Sequence, residues 1–208
     1  MTDNGLDELT WRTPPRWADE VLEDRLALLA DHAHLERAAA ANALSLVRAF
    51  PDDVDPDRWV ARLTAVARDE VDHLAEVNRQ LAKRGGRLSR SHHNAYARAL
   101  RLEVATGTAS ELADRLYVSS LIELRSFERF QLLAGAGHDL SVLYADLEAS
   151  EAGHYRLFLQ LARSVGGTPE RWSAWLAIEG AVAHGQEPGS RIHAGVRSLG
   201  ADDEETVA

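Results

Sequence analysis

Residues 67–77, ARDEVDHLAEV, and residues 150–162, SEAGHYRLFLQLA, decide the fold. Each carries a Glu followed three residues later by a His, Glu70 with His73 and Glu151 with His154, among apolar residues recurring at three- and four-residue steps. Residues three apart share one face of a helix, so each pair lies on the same stripe as its apolar neighbours. A carboxylate on a core-facing stripe is costly unless something of opposite charge meets it. The two segments therefore announce both a helical core and a reason for its polar centre.

Working outward, the same periodicity extends over four long segments, and alternating Val/Ile/Thr runs bounded by turns are absent. Helices are expected over Val21–Phe50, Pro56–Lys83, Ser110–Ala134 and Asp139–Val165, with a short one over Asn94–Val104 and a fifth over Pro169–Ala183. Prolines 51 and 56 and the glycines at 85, 86, 137, 166 and 167 punctuate them. The connections run short, long, short. That order predicts an all-α fold, a ferritin-like four-helix bundle with one long crossover plus a peripheral C-terminal helix. One domain is expected over residues 1–195, and residues 196–208, ending ADDEETVA, read as an acidic mobile tail.

Every core seam carries a carboxylate at mid-helix: Glu36, Glu70, Glu123 and Glu151. Glu36 and Glu70 are equidistant from residue 53, in the first turn, and Glu123 and Glu151 from residue 137, in the second, so each pair sits at one height of an antiparallel hairpin. Glu128 competes for the third-helix position, but its midpoint with Glu151 falls beyond the turn, and Glu123 is preferred. No Lys or Arg occupies the seams. Two divalent cations held by Glu36, Glu70, His73, Glu123, Glu151 and His154 neutralise such a layer, and a thiolate-free, carboxylate-rich set suits iron or manganese better than zinc. Ala33, Ala40, Ser119 and Ser126 flank these positions, where small side chains leave room for a cavity or offset large neighbours.

The chain of 208 residues has no cysteine and a formal charge of -10. This excludes disulfides, thiolate clusters and a cysteine nucleophile, and with no apolar leader in the opening residues and no long apolar run it is expected to be cytoplasmic, with no membrane partner. Against the acidic background, KRGGRLSRSHHNAYARALR carries Lys83, Arg84, Arg87, Arg90, Arg98 and Arg101 and no acid. Such a concentration at one end of a bundle would draw an anionic partner, and His92, His93 and Tyr96 add groups that stack on bases.

Four blocks in this order, DHAHLERAAAANAL, ARDEVDHLAEV, LIELRSFERF and SEAGHYRLFLQLA, followed by RIHAG near the C-terminus, resemble the MiaE-type tRNA hydroxylases of the ferritin-like di-iron superfamily, across roughly residues 20 to 195. The resemblance implies that the six Glu and His residues above are iron ligands and catalytic, that the cofactors are two Fe ions with dioxygen as co-substrate, and that the reaction hydroxylates the isopentenyl group of 2-methylthio-N6-isopentenyladenosine beside the anticodon. Where the family pattern has LIEARS, a Cys before ERF, and HSG, this chain has LIELRS, Phe127 and HAG, and none of these touches a proposed ligand. The partners expected are the tRNA anticodon arm, met by the basic stretch, and a separate electron-donating reductase, since the chain has no second redox motif. A monomer or small homo-oligomer is expected. The rival reading is a ferritin-like iron-oxidising storage protein with the same ligands but a closed cage; a metal-free helical interaction module is the third.

Overall fold

The computed structural model describes residues 5–198. Among them are seven α-helices: α1 (Trp17–Val21), α2 (Arg25–Leu46), α3 (Pro56–Lys83), α4 (Ala95–Leu102), α5 (Glu111–Gly135), α6 (Ser141–Ser164) and α7 (Pro169–His184). Caps set most starts. The side chains of Asp55, Asn94 and Thr168 accept backbone N–H groups at the first turns of α3, α4 and α7, and prolines 56 and 169 occupy first-turn positions that need no donor. The turn joining α5 to α6 passes through Gly137 at φ 69°, a conformation that favours glycine.

The first long helix is shorter than its periodicity implies. Asp24, at φ -125° and ψ 86°, leaves the helical region and accepts the Ala27 N–H, so α2 begins at Arg25 and residues 17–24 form a separate helix and a 3-10 turn. A local cap here overrides a continuous apolar pattern. Leu26, in the first turn of α2, is 40% exposed.

Helices α2 and α3 pair along their length, as do α5 and α6. The apolar core falls into two clusters. One gathers Leu46, Trp59, Leu63, Val66, Leu116 and Phe158; the other gathers Leu29, Ala33, Val77, Phe130, Leu133 and Tyr144. The stripe residues between them, Glu36, Glu70, Glu123 and Glu151, are all buried, so a polar layer divides the core at mid-height.

Helix α5 buries charge on its other faces too. Arg125, Glu128 and Arg129 are enclosed by the N-terminal segment, α7 and the C-terminal segment. Glu128 accepts from Arg12 Nε (2.8 Å), Thr13 N (3.0 Å), Thr13 Oγ1 (2.7 Å) and Arg125, which fixes it away from the polar layer of the four-helix seam. Helix α7 flanks the bundle and buries Trp172, Trp175 and Leu176.

One further expectation needs correction. The basic stretch does not gather at one end. Helix α3 finishes beside the start of α2, where Arg84 and Arg25 both meet Asp139, whereas α5 begins at the opposite end, so the crossover must travel the length of the bundle. It follows α2: Ser89 accepts from or donates to His34 (3.0 Å), His92 meets Asp31 (2.7 Å), and Arg101 lies beside Asn42 in the wall of a cavity. Of the expected tail, residues 196–198 are described. Its first residues are tied down, with Arg197 N donating to Glu20 (2.9 Å) and its guanidinium to Glu23 (2.6 Å); residues 199–208 lie outside the described residues.

Candidate metal centre

The polar layer contains two groups of ligand atoms. Glu36, Glu70, His73 and Glu151 form one; Glu70, Glu123, Glu151 and His154 form the other, and within each the donor atoms lie within 4.8 Å of one another. That span is about twice a ~2.1 Å metal–ligand bond with some slack. Glu70 and Glu151 belong to both groups, so they would be shared if each group held an ion, with Glu36 and His73 serving one and Glu123 and His154 the other. All six residues read from the sequence are brought together, two from α3, two from α6 and one each from α2 and α5.

The atoms facing inward do not satisfy each other. Glu70 Oε1, His73 Nδ1, Glu151 Oε1 and His154 Nδ1 are buried without a hydrogen-bond partner. His73 Nδ1 stands 3.7 Å from Glu36, 3.8 Å from Glu70 and 3.7 Å from Glu151, and His154 Nδ1 is 2.7 Å from Glu70 Oε1 without hydrogen-bond alignment. A buried unsatisfied polar group costs about 1–3 kcal/mol, and four such atoms converging on one spot are a donor set that a cation would satisfy. The donor set fits a pair of divalent ions.

Without a metal the layer holds protons instead. Burial, reinforced by Glu123 and Glu36, pushes the Glu70 carboxyl up to about 8. Burial likewise raises Glu151 and Glu123, the former with the charges of Glu123, Glu70 and Glu36 behind it. For the imidazoles burial works the other way, but the adjoining carboxylates outweigh it and lift His73 to about 10 and His154 to about 9. Glu36 differs: burial opposes its ionisation, yet the charge and hydrogen bond of His32, with His73 behind them, hold it well below the usual carboxylate range. Metal binding at such a cluster expels protons.

Sequence reasoning missed the groups that support these six. His32 Nε2 bonds Glu36, and its ring stacks on Tyr144 (5.5 Å between centroids) and tilts against Phe130 (4.9 Å). The signal was present, since His32 precedes Glu36 by four residues and shares its face. On the other side His154 Nε2 lies 3.5 Å from Asp69 Oδ2 and 3.4 Å from Ser150 Oγ, contacts that orient the ring so that Nδ1 faces Glu70.

The flanking small residues behave differently from one another. Ser119 lines a cavity that ends on Glu123, whereas Ala33 packs in an apolar cluster and Ser126 faces His193 at 3.4 Å. Of the basic stretch, Lys83, Arg87, Arg90, Arg98 and Arg101 are exposed, while Arg84 is tied to Asp139 (2.7 Å) and Gln80 (2.7 Å). No helix among the described residues is long and apolar enough to cross a membrane.

Fold and side-chain set together define a ferritin-like protein with a carboxylate–histidine centre at mid-bundle. A solved structure with this architecture, described as protein 43 with aldehyde deformylating oxygenase activity from Synechococcus, superimposes with a TM-score of 0.80 at 29% identity, covering 92% of this chain and 98% of that one. Residues 2–194 match the family described as tRNA-(MS[2]IO[6]A)-hydroxylase (MiaE), and the chain belongs to that family. A relative from Pseudomonas putida, named tRNA 2-(methylsulfanyl)-N(6)-isopentenyladenosine(37) hydroxylase, is 37% identical over 155 residues, 74% of each chain. One of the same name from Salmonella typhimurium is 28% identical over 157 residues, 73% of this chain and 58% of that relative.

Proposed function

We propose that this chain hydroxylates the isopentenyl group of 2-methylthio-N6-isopentenyladenosine beside the anticodon of tRNA. The observation that carries this reading is the pair of overlapping ligand groups sharing Glu70 and Glu151, in a chain of this family. The ions are taken to be iron, bound by Glu36, Glu70, His73, Glu123, Glu151 and His154, and the oxidant dioxygen; when bound, such a centre supplies the electrons that activate oxygen for insertion into a C–H bond.

The residues of the chain prepare and enclose that chemistry. His32 holds Glu36 ionised and in place, Asp69 and Ser150 fix the His154 ring, and the Phe130 and Tyr144 rings keep water from the His32 side. Hydroxylation places one oxygen atom of dioxygen on the substrate and releases the other as water, which consumes two further electrons and two protons. With no cysteine in the chain, those electrons come from a separate reductase. The exposed cations along the crossover, Lys83, Arg87, Arg90, Arg98 and Arg101, are the proposed contacts for RNA phosphates.

The test is reconstitution. Protein loaded with ferrous iron, given dioxygen, a chemical or enzymatic electron donor and prenylated tRNA, is expected to yield a nucleoside heavier by one oxygen atom in mass spectrometry. Unmodified nucleoside alongside growth of a ferric mineral on the protein would sink the reading.

A further inference from the structure

Between α2, α4 and α5 lie two adjoining cavities that share Asn42, Arg101, Ser119 and Ile122. The outer one, about 180 Å³, has Arg101 and Arg115 in its wall. The inner one, about 30 Å³, is walled by Leu35, Ala38, Ala39, Ala97 and Ile122 and ends on Glu123. Among the described residues no carboxylate forms an ion pair with Arg101 or Arg115, so two unpaired guanidinium groups border a passage whose inner part touches Glu123, a carboxylate of the candidate metal centre. At the neck Asn42 Nδ2 donates to Ser119 Oγ (2.9 Å), which in turn donates to the Arg115 carbonyl (3.0 Å).

We propose that this passage is where an N6-prenylated adenosine enters, an inference that rests on the proposed function. Arg101 and Arg115 grip the phosphates flanking the nucleotide, the purine sits in the outer cavity against Asn42, and the branched five-carbon chain passes between the alanines toward Glu123. Each part meets its chemical complement. Guanidinium groups match phosphates, an asparagine amide matches the N6 and N7 edge of adenine, and Ala38, Ala39 and Ala97 give a narrow apolar wall. As it stands the inner cavity admits a water or two rather than a prenyl group. Opening it takes separation of Asn42 from Ser119, the contact that closes the neck. The adenine edge offers Asn42 an alternative partner, so an adenosine seated in the outer cavity frees the slot and the prenyl chain fills it. The reading adds Arg115, which lies outside the basic crossover, makes Asn42 a positioning residue for the adenine, and gives the preference for the prenyl group to the alanine wall.

The experiment compares binding of two anticodon stem-loop RNAs, identical except for the prenyl group, to protein loaded with a redox-inert divalent metal, by fluorescence anisotropy at several salt concentrations. The wild-type chain is expected to favour the prenylated RNA roughly tenfold or more. Arg115→Glu is expected to weaken both RNAs roughly tenfold and to flatten the salt slope by about one. Ala39→Phe, or Ala38→Leu if that variant does not fold, is expected to bind the plain RNA as wild type does and to lose the preference for the prenylated one. Absence of any preference in the wild-type chain, or its persistence in both blocking variants, overturns the proposal, as does unchanged RNA affinity in Arg115→Glu. A clear prenyl preference without hydroxylated product in the turnover assay would leave this site standing and remove the proposed reaction.

Discussion

Arg125 and Glu179 form an ion pair with neither side chain accessible to solvent, Nη2 to Oε2 at 2.7 Å and Nε to Oε1 at 2.8 Å. Tyr96 donates its hydroxyl to the same Glu179 oxygen at 2.8 Å, so the pair joins α5, α7 and α4 at one point. Losing Glu179 leaves Arg125 with Glu128 as its remaining carboxylate and the Tyr96 hydroxyl without its acceptor. Glu179→Leu is expected to destabilise the metal-loaded protein by about 3–5 kcal/mol, and Arg125→Met combined with Glu179→Leu to lose more, since Glu128 and the Trp11 carbonyl then lose a buried donor as well. Urea unfolding of the two variants checks this; equal losses in single and double variants would contradict it.

At the metal centre the expectation is stoichiometric. Elemental analysis after anaerobic loading should find close to two ferrous ions per chain, because Glu70 and Glu151 each serve both ligand groups. Glu70→Gln should lose most of this metal while leaving the metal-free fold at least as stable, since it removes a carboxylate that burial and two like charges already disfavour. Equal destabilisation with and without metal would argue that Glu70 is structural.

His32 gives a graded test. Its bond to Glu36 orients a ligand without touching the ions, so His32→Phe, which keeps the ring between Phe130 and Tyr144, should weaken metal binding by about 10- to 100-fold rather than abolish it. Competition with a chelator measures the shift. Wild-type affinity in His32→Phe would remove the residue from the site.

His193 carries a pH signature. It is buried and stacks on Tyr96 at 4.4 Å; burial, then the charges of Arg129 and Arg125, hold its pKa well below the usual imidazole value. The unfolded chain takes up a proton below about pH 6.5 that the folded chain refuses, so folding stability falls as pH drops through that range. The contribution reaches at most about 1.4 kcal/mol per pH unit. His193→Phe should unfold with a shallower acid dependence between pH 6.5 and 5, and identical slopes would refute this assignment.

The six converging residues were legible because a hairpin turns spacing into height: Glu36 with Glu70, and Glu123 with Glu151, are equidistant from their turns, and the structure holds all four in one layer. What stayed hidden was long-range. Nothing local marks Glu128 as the partner of Thr13 and Arg12, more than a hundred residues away, nor tells that the crossover must run along α2 once both hairpins are antiparallel. The start of α2 was misread because one capping Asp outweighed an unbroken apolar pattern.

The division of the ligands between hairpins bears on how the protein is made. Each four-residue group draws three members from one hairpin and one from the other, Glu151 completing the first and Glu70 the second. A ribosome that has released only α2 and α3 has therefore displayed three donors and no finished site. Neither group has all of its donors before α6 has been synthesised and docked.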